Sequence, residues 1–178
     1  CSSMVRHAYV GKGTIMIWTV AKWALVLVVV AAIGLTLTGK KTFHVELIIP
    51  APPEAVWKVL TDAQGYAEWN PVFVKVDGTF EPNGAVKTTV KEPGKPDVVI
   101  SSEIRKFEPY RELNQYGGIA WFITFDHQWL LEPVDGGTRV IQHEVDRGFY
   151  VWFWGSDWVE PTYMKASEAL RDRVLAGS

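Results

Sequence analysis

Hydrophobic positions along this chain fall into two regimes. From Ile15 to Gly39 they run on with little interruption, and the stretch "WALVLVVVAAIGLTLTG", Trp23 to Gly39, holds no charge. From Thr42 onward apolar residues come in short bursts divided by proline and glycine. The first regime predicts a helix. At about 1.5 Å per residue, and with Lys22 snorkelling, it reaches the roughly 30 Å of a bilayer's hydrocarbon layer. Trp18 and Trp23 stand near one boundary, while Lys40 and Lys41 close the other. Two alternatives stand beside a span. A buried core helix of this length would normally carry a polar stripe, which this run lacks; a cleaved signal peptide has Ala31 and Ala32 nearby but no clean small-x-small pattern.

The second regime predicts strands and short helices. "TFHVELIIP" suits a strand, and "APPEAVWKVLTD" opens a helix with prolines at its mouth, Glu54 in its first turn and Ala55, Val56, Val59 and Leu60 on one face. A second helical turn is expected over "GYAEW", ended at Asn70-Pro71. Strand-like runs then follow one another with connections too short for parallel crossovers, so they are expected to be antiparallel neighbours. "EPTYMKASEALRDRVLAG" returns to helix, with Met164, Ser167, Leu170 and Val174 along one face and Gly177 beyond its end. The expectation is an α+β fold in which a curved antiparallel sheet wraps a long C-terminal helix, preceded by one transmembrane helix. The chain divides into a flank 1–14, a transmembrane helix 15–39 and a folded domain 42–176.

Charge and cysteine content narrow the function classes. The 178 residues carry a formal charge of -2 and no Lys/Arg cluster, which argues against nucleic acid as a partner. Cys1 is the single cysteine, so the domain can form no internal disulfide, no cysteine zinc site and no cysteine nucleophile. "CSS" at the start is compatible with a lipidated cysteine but reads better as an arbitrary fragment start, with Met16 able to serve as a natural one. Arg6, Lys12 and Lys22 precede the apolar run and Lys40, Lys41 and Lys58 follow it, so the charge bias is small; counting from Met16 leans the domain toward the cytoplasm in a single-pass arrangement.

Three local motifs, "PPEAVWKVLTD" at 52–62, "YAEWNPVF" at 66–73 and "FDHQWLLEPVDGGTRVIQHE" at 125–144, occur in an order that resembles the polyketide cyclase/dehydrase and lipid-transport branch of the START-like (SRPBCC, Bet v 1-like) superfamily. The resemblance covers about Phe43 to Leu175 and leaves the apolar run unexplained. It implies a helix-grip fold enclosing a hydrophobic cavity between sheet and C-terminal helix. The motifs are mostly scaffold: Trp57 and Trp69 are expected to pack under the sheet, Pro71 to stop a helix, Gly136-Gly137 to turn the chain. Since the superfamily holds binding proteins, transporters and enzymes, fold alone leaves activity open.

Alternation in "AWFITFDHQWLLE" puts Trp121, Ile123, Phe125, His127, Trp129 and Leu131 on one face, the more apolar one and the one expected to meet the cavity. For the next strand the resemblance implies Val140, Gln142 and Glu144 inward, with Arg139, Ile141 and His143 outward. His127 and Glu144 are thereby candidates for a general acid and base, because burial moves both toward neutrality; they serve equally as a satisfied buried pair, and Gln142 with Glu144 as polar groups that orient a ligand. His44, His127 and His143 are scattered, and His7 precedes the apolar run, so no metal site is expected. No cofactor is expected either. "VGKGT" at 10–14 lacks the spacing and preceding strand of a phosphate loop, and Asp157, Glu160 and Glu168 read as helix capping and solvated charge.

"GFYVWFWGSDW", Gly148 to Trp158, is dense in rings. In the register of the resemblance it lies between the last strand and the C-terminal helix, near one mouth of the cavity, where Phe149, Tyr150, Trp152, Phe153, Trp154 and Trp158 divide between packing under the helix and forming a lip or membrane contact. The expected ligand-binding set is Trp121, Ile123, Phe125, His127, Trp129, Gln142, Glu144, Phe149, Trp152 and Trp154. The function these point to is a membrane-anchored carrier or binding domain for a small hydrophobic molecule such as a lipid, isoprenoid, quinone or polyketide-like compound. A cyclase, dehydratase or hydrolase using His127 and Glu144, and a tethered module that docks a protein partner of unknown identity, are the alternatives.

Overall fold

The structure, a computed structural model, describes residues 4–177, with side chains from residue 16 onward; the Cys1 expectation and the side chains of His7 and residues 10–14 lie outside this range. Helix α1, Met4–Thr38, takes in the expected apolar run and also most of the flank, since no proline interrupts it. Its stretch Met16–Thr38 is 23 residues long and apolar enough to cross a membrane, and none of it is buried against the rest of the chain. After Gly39 alone, the chain enters β1, Lys40–Ile49.

Helix α2, Pro53–Leu60, begins at the prolines with Glu54 in its first turn and buries Val56, Trp57 and Leu60. A 3-10 turn, Ala63–Gly65, leads into α3, Tyr66–Trp69, which Asn70 ends by turning its side-chain oxygen onto the backbone N–H groups of Val72 and Phe73. Six strands follow: β2 Phe73–Gly78, β3 Ala85–Val90, β4 Val98–Glu108, β5 Glu112–Ile119, β6 Ile123–Val134 and β7 Gly137–Arg147. They join β1 in one antiparallel sheet of order β1-β7-β6-β5-β4-β3-β2, so the first and last strands pair and the intervening ones meander. A 3-10 turn over Phe149–Trp152 then hands the chain to α4, Val159–Ala176, which closes over the sheet and ends at Gly177.

The curved sheet is filled unevenly along its strands. At the end marked by the pairing of Leu131 with Val140, side chains from α2 and α4 pack solidly: Ile49, Val56, Leu60, Leu113, Leu170 and Val140 are fully buried. Burial of each such side chain contributes on the order of 1.5–3 kcal/mol, enough to pin the helices to the sheet. Trp57 and Trp69 lie in or against this cluster, as the scaffold motifs predict. Toward the other end, where Phe125 pairs with Asp146, only the first half of α4 covers the sheet, through Val159 and Tyr163. The expected inward face of α4 holds at Ser167, Leu170 and Val174 and departs only near its start. Tyr163 and Ala166 are buried, and Met164 is only half-buried.

The joint between α1 and the domain is tight. Gly148 N–H donates to the carbonyl of Gly39, and a Cβ at either glycine would collide with a backbone carbonyl. Gly148 also has φ 132°, which strains any residue with a side chain. Trp152 Nε1 donates to the carbonyl of Leu35 at 3.0 Å, which also accepts the Gly39 N–H, so the ring is tied to the helix's last turn.

Candidate functional site

Period-two alternation on β6 and β7 aims Phe125, His127, Trp129, Glu144 and Asp146 into the space that the core leaves open. This cavity is about 520 Å³, within the usual range for small-molecule pockets. Phe73, Val76 and Phe80 on the β2 side, Thr88 and Val90 of β3, and Val98 to Ser102 of β4 form one wall; Trp154, Trp158, Val159 and Tyr163 form the other. Most of the lining is apolar. Thr88, Ser101, Ser102 and Gln115 add neutral polar groups from β3 to β5, while its His, Glu and Asp side chains gather where β6, β7 and α4 meet.

There His127 stands directly across from Glu144, with Nδ1 2.9 Å from Oε2. Tyr163 OH donates to the same oxygen at 2.7 Å. The imidazole is further held by edge contacts with Phe73, Trp129 and Tyr163, at centroid distances of 5.9, 5.9 and 5.1 Å. A ring clamped on three sides and hydrogen-bonded on one nitrogen has a fixed orientation. Burial, reinforced by the Glu144 carboxylate, pushes the Tyr163 hydroxyl well above its ordinary value, so it remains a donor. Burial, together with the like charge of Glu144, pushes Asp146 up to about 8. Lys41 lies opposite Asp146 across the β1–β7 pair and directs its Nζ to the Trp154 carbonyl and to Ser156 Oγ.

Of the residues expected from sequence, Ile123, Phe125, His127, Trp129, Glu144 and Trp154 line the cavity. Four do not. Trp121 is 74% exposed: β6 begins two residues later, and Trp121 occupies the turn before it at φ 69°, outside the alternation expected to include it. Gln142 faces the sheet's inner side but lies under α4, where Nε2 donates to the Tyr163 carbonyl and to Ser167 Oγ. Phe149 packs against Phe153, and Trp152 is 54% exposed against the end of α1. Alternation missed Asp146, although it shares the parity of Glu144, and the expected face of α4 named Met164 where Tyr163 turns inward.

The histidines are less scattered than their spacing suggests. His44 and His143 face each other across β1 and β7 with Nδ1 atoms 3.4 Å apart, on the face away from the cavity. Partial burial, and then the neighbouring His44, lowers the His143 value. Among the described residues no group of three His, Cys, Asp or Glu side chains is placed to hold a metal ion.

The cavity's opening is marked by its exposed lining residues, Val98, Val99 and Ile119, at one end of β4 and β5. Ile119 starts the turn into β6, and that turn is bonded to the ring-rich segment: Phe149 N–H donates to the Trp121 carbonyl and Tyr150 N–H to that of Phe122. Phe122 and Tyr150 stack at 5.0 Å. Through Trp152 and Gly148 the same segment grips the end of α1. Opening, exposed rings and helix end thus share one end of the domain.

A family model described as polyketide cyclase / dehydrase and lipid transport matches residues 40–174. Solved structures with the same architecture include TTHA0849 from Thermus thermophilus, at 18% identity and a TM-score of 0.65 over 78% of this chain and 99% of that one. The Zhui aromatase/cyclase from a Streptomyces species, strain R1128, is similar at 18% identity and a TM-score of 0.55 over 76% of this chain and 93% of that one. Norcoclaurine synthase from Thalictrum flavum, solved with dopamine and hydroxybenzaldehyde, is similar at 13% identity and a TM-score of 0.59 over 78% and 88% of the two chains. At these identities the likeness shows a shared fold. Among curated proteins, no sequence matches the chain.

Proposed function

The chain belongs to the polyketide cyclase/dehydrase and lipid transport family, and from that premise we propose that it is a membrane-anchored carrier for a small hydrophobic molecule. The observation that carries the reading is the shared end: a largely apolar cavity of about 520 Å³ opens beside exposed rings that hold the end of a helix long enough to cross a bilayer. With α1 across the membrane, Trp121, Phe122, Trp152 and Phe153 lie at headgroup level, where amphipathic and aromatic rings are favoured. An apolar guest then passes between lipid and cavity without crossing bulk water. Transfer into the cavity is driven by apolar area leaving water or the polar headgroup layer, at about 25 cal/mol per Å². Anchoring raises the effective concentration of membrane-dissolved guests without changing intrinsic affinity.

The test is extraction of the full chain, purified from membranes in mild detergent, with organic solvent followed by mass spectrometry. The expected result is a reproducible apolar compound near one per chain, lost in a Thr88→Trp variant that fills the wall of the cavity. Absence of any bound compound in the purified protein, together with no uptake of added apolar compounds, overturns the carrier reading and favours docking of a protein partner.

A second reading rests on one observation. His127 and Glu144, hydrogen-bonded within the cavity, have the arrangement of an acid–base pair, which suits cyclisation or dehydration of a polyketide-like substrate. His127→Ala separates the two: an enzyme loses turnover while it still binds, and a carrier keeps transfer.

A further inference from the structure

Resting on the carrier reading, we infer that the junction of β6, β7 and α4 is a head-group site for an uncharged amphiphile bearing a hydroxyl, with His127 Nε2, beside Asp146, accepting its proton. Both side chains are more than nine-tenths buried and both line the cavity. Each keeps a buried polar atom, His127 Nε2 and Asp146 Oδ1, with no hydrogen-bond partner among the described residues; Trp158 Nε1, on the opposite wall, is a third. Buried polar atoms are nearly always paired, so unpartnered ones in the wall of a ligand-sized cavity point to a ligand that pairs them.

The chemistry of that ligand follows from which atoms are already used. Glu144 Oε2 faces His127 Nδ1, and the tautomer that donates there leaves Nε2 with a lone pair. Only a donor satisfies it, which a hydroxyl provides and an ether does not. Asp146, pushed up to about 8 by burial, by the like charge of Glu144 and by a hydrogen bond with it, stands beside that lone pair. His127 and Asp146 are diagonal neighbours on adjacent strands, since His127 pairs with Glu144 two residues before Asp146.

Charge argues against ionic heads. The described lining holds Glu144 and Asp146 but no lysine or arginine, so a carboxylate or phosphate meets like charge and no counter-ion. Lys41, across the β1–β7 pair from Asp146, directs two of its donors to Trp154 and Ser156. An ammonium head meets a Glu144 oxygen already hydrogen-bonded by His127 and Tyr163, and a second carboxyl that is itself hydrogen-bonded to Glu144.

Native mass spectrometry of the full chain, released from detergent after incubation at neutral pH with an equimolar mixture of tetradecanol, its methyl ether, tetradecanoic acid and tetradecylamine, reads the preference directly. The expected result is alcohol adduct in excess over each of the others by about tenfold, the effect of losing one hydrogen bond to a buried group. In His127→Phe, which keeps a ring among Phe73, Trp129 and Tyr163, the excess over the ether falls to about twofold or less while ether binding persists. Equal binding of all four, or a lead for the acid or the amine, overturns the head-group site and leaves the carrier reading intact. The wild-type comparison stands even where a variant fails to fold. No adduct from any of the four overturns the carrier reading and this inference with it.

Discussion

The hydroxyl of Tyr163 on α4 reaches across to Glu144 on β7 at 2.7 Å, landing on the same oxygen that faces His127 Nδ1. One buried carboxylate thus ties helix to sheet and fixes the imidazole at the same time. Tyr163→Phe removes one of its two donors without changing the ring. Leaving a buried charged acceptor short of a partner costs about 1–3 kcal/mol. The expected outcome is a lower urea midpoint for the detergent-solubilised chain, with the His127 imidazole resonances shifted because its acceptor has changed partners; an unchanged midpoint contradicts the tie.

Asp146 gives stability an unusual pH slope. In the folded protein its carboxyl is pushed up to about 8, while in the unfolded chain it returns to the ordinary 3.8. Between those values the folded state holds a proton that the unfolded state has released, so the stability from this group is full below 3.8 and is lost as pH rises through about 8. Denaturation midpoints of wild type and Asp146→Asn, compared from about pH 4 to about pH 9, are expected to diverge in that sense, with wild type losing ground to the variant as pH rises. A gap that stays constant with pH contradicts the assignment.

Much of the fold is legible in sequence, and the reasons are local. Pro52 and Pro53 open α2 and Gly177 caps α4 because their backbone constraints act within a turn. Alternation from Ile123 to Leu131 identifies His127 as inward because a strand's faces are set by parity alone. Parity fails at strand ends, which is why it draws Trp121 into a strand that starts at Ile123. It also says nothing of what covers a face: Gln142 has the inward parity of Glu144, yet α4 sits on it and leaves Glu144 open to the cavity. The β2–β4 wall, and the meeting of His44 with His143 from opposite ends of the domain, follow from sheet closure, which depends on pairings that residue spacing does not encode.

Gly148 predicts a localised defect. Its φ of 132° and the carbonyls crowding its missing side chain mean that Gly148→Ala forces the backbone to shift where α1, the β5–β6 turn and the ring-rich segment cross. The strain is on the order of 1–3 kcal/mol. Hydrogen exchange is expected to rise in residues 148–153 and at the N–H groups bonded to the Trp121 and Phe122 carbonyls, and to stay unchanged in β3 and β4. Uniform protection throughout contradicts the crossing as a constraint.

Depth in the bilayer is measurable with single nitroxides. In a Cys1→Ser background, labels at Phe122→Cys and Phe153→Cys in vesicle-reconstituted protein are expected at the headgroup–acyl boundary, more accessible to dissolved oxygen than to a water-soluble nickel complex. A label at Asp135→Cys, in the β6–β7 turn at the far end of the strands, lies about 3.3 Å per residue away along β6 and is expected in water. Equal aqueous exposure at all three sites argues against the proposed seating.

Gly39 stands alone between the last residue of α1 and the first of β1. With that helix across a bilayer, the domain has no slack tether and cannot swing toward a distant acceptor. On the proposed carrier reading its search for one is two-dimensional, by lateral drift of the whole molecule in the plane of the membrane, and delivery to another compartment would require the two membranes to come within the height of one domain.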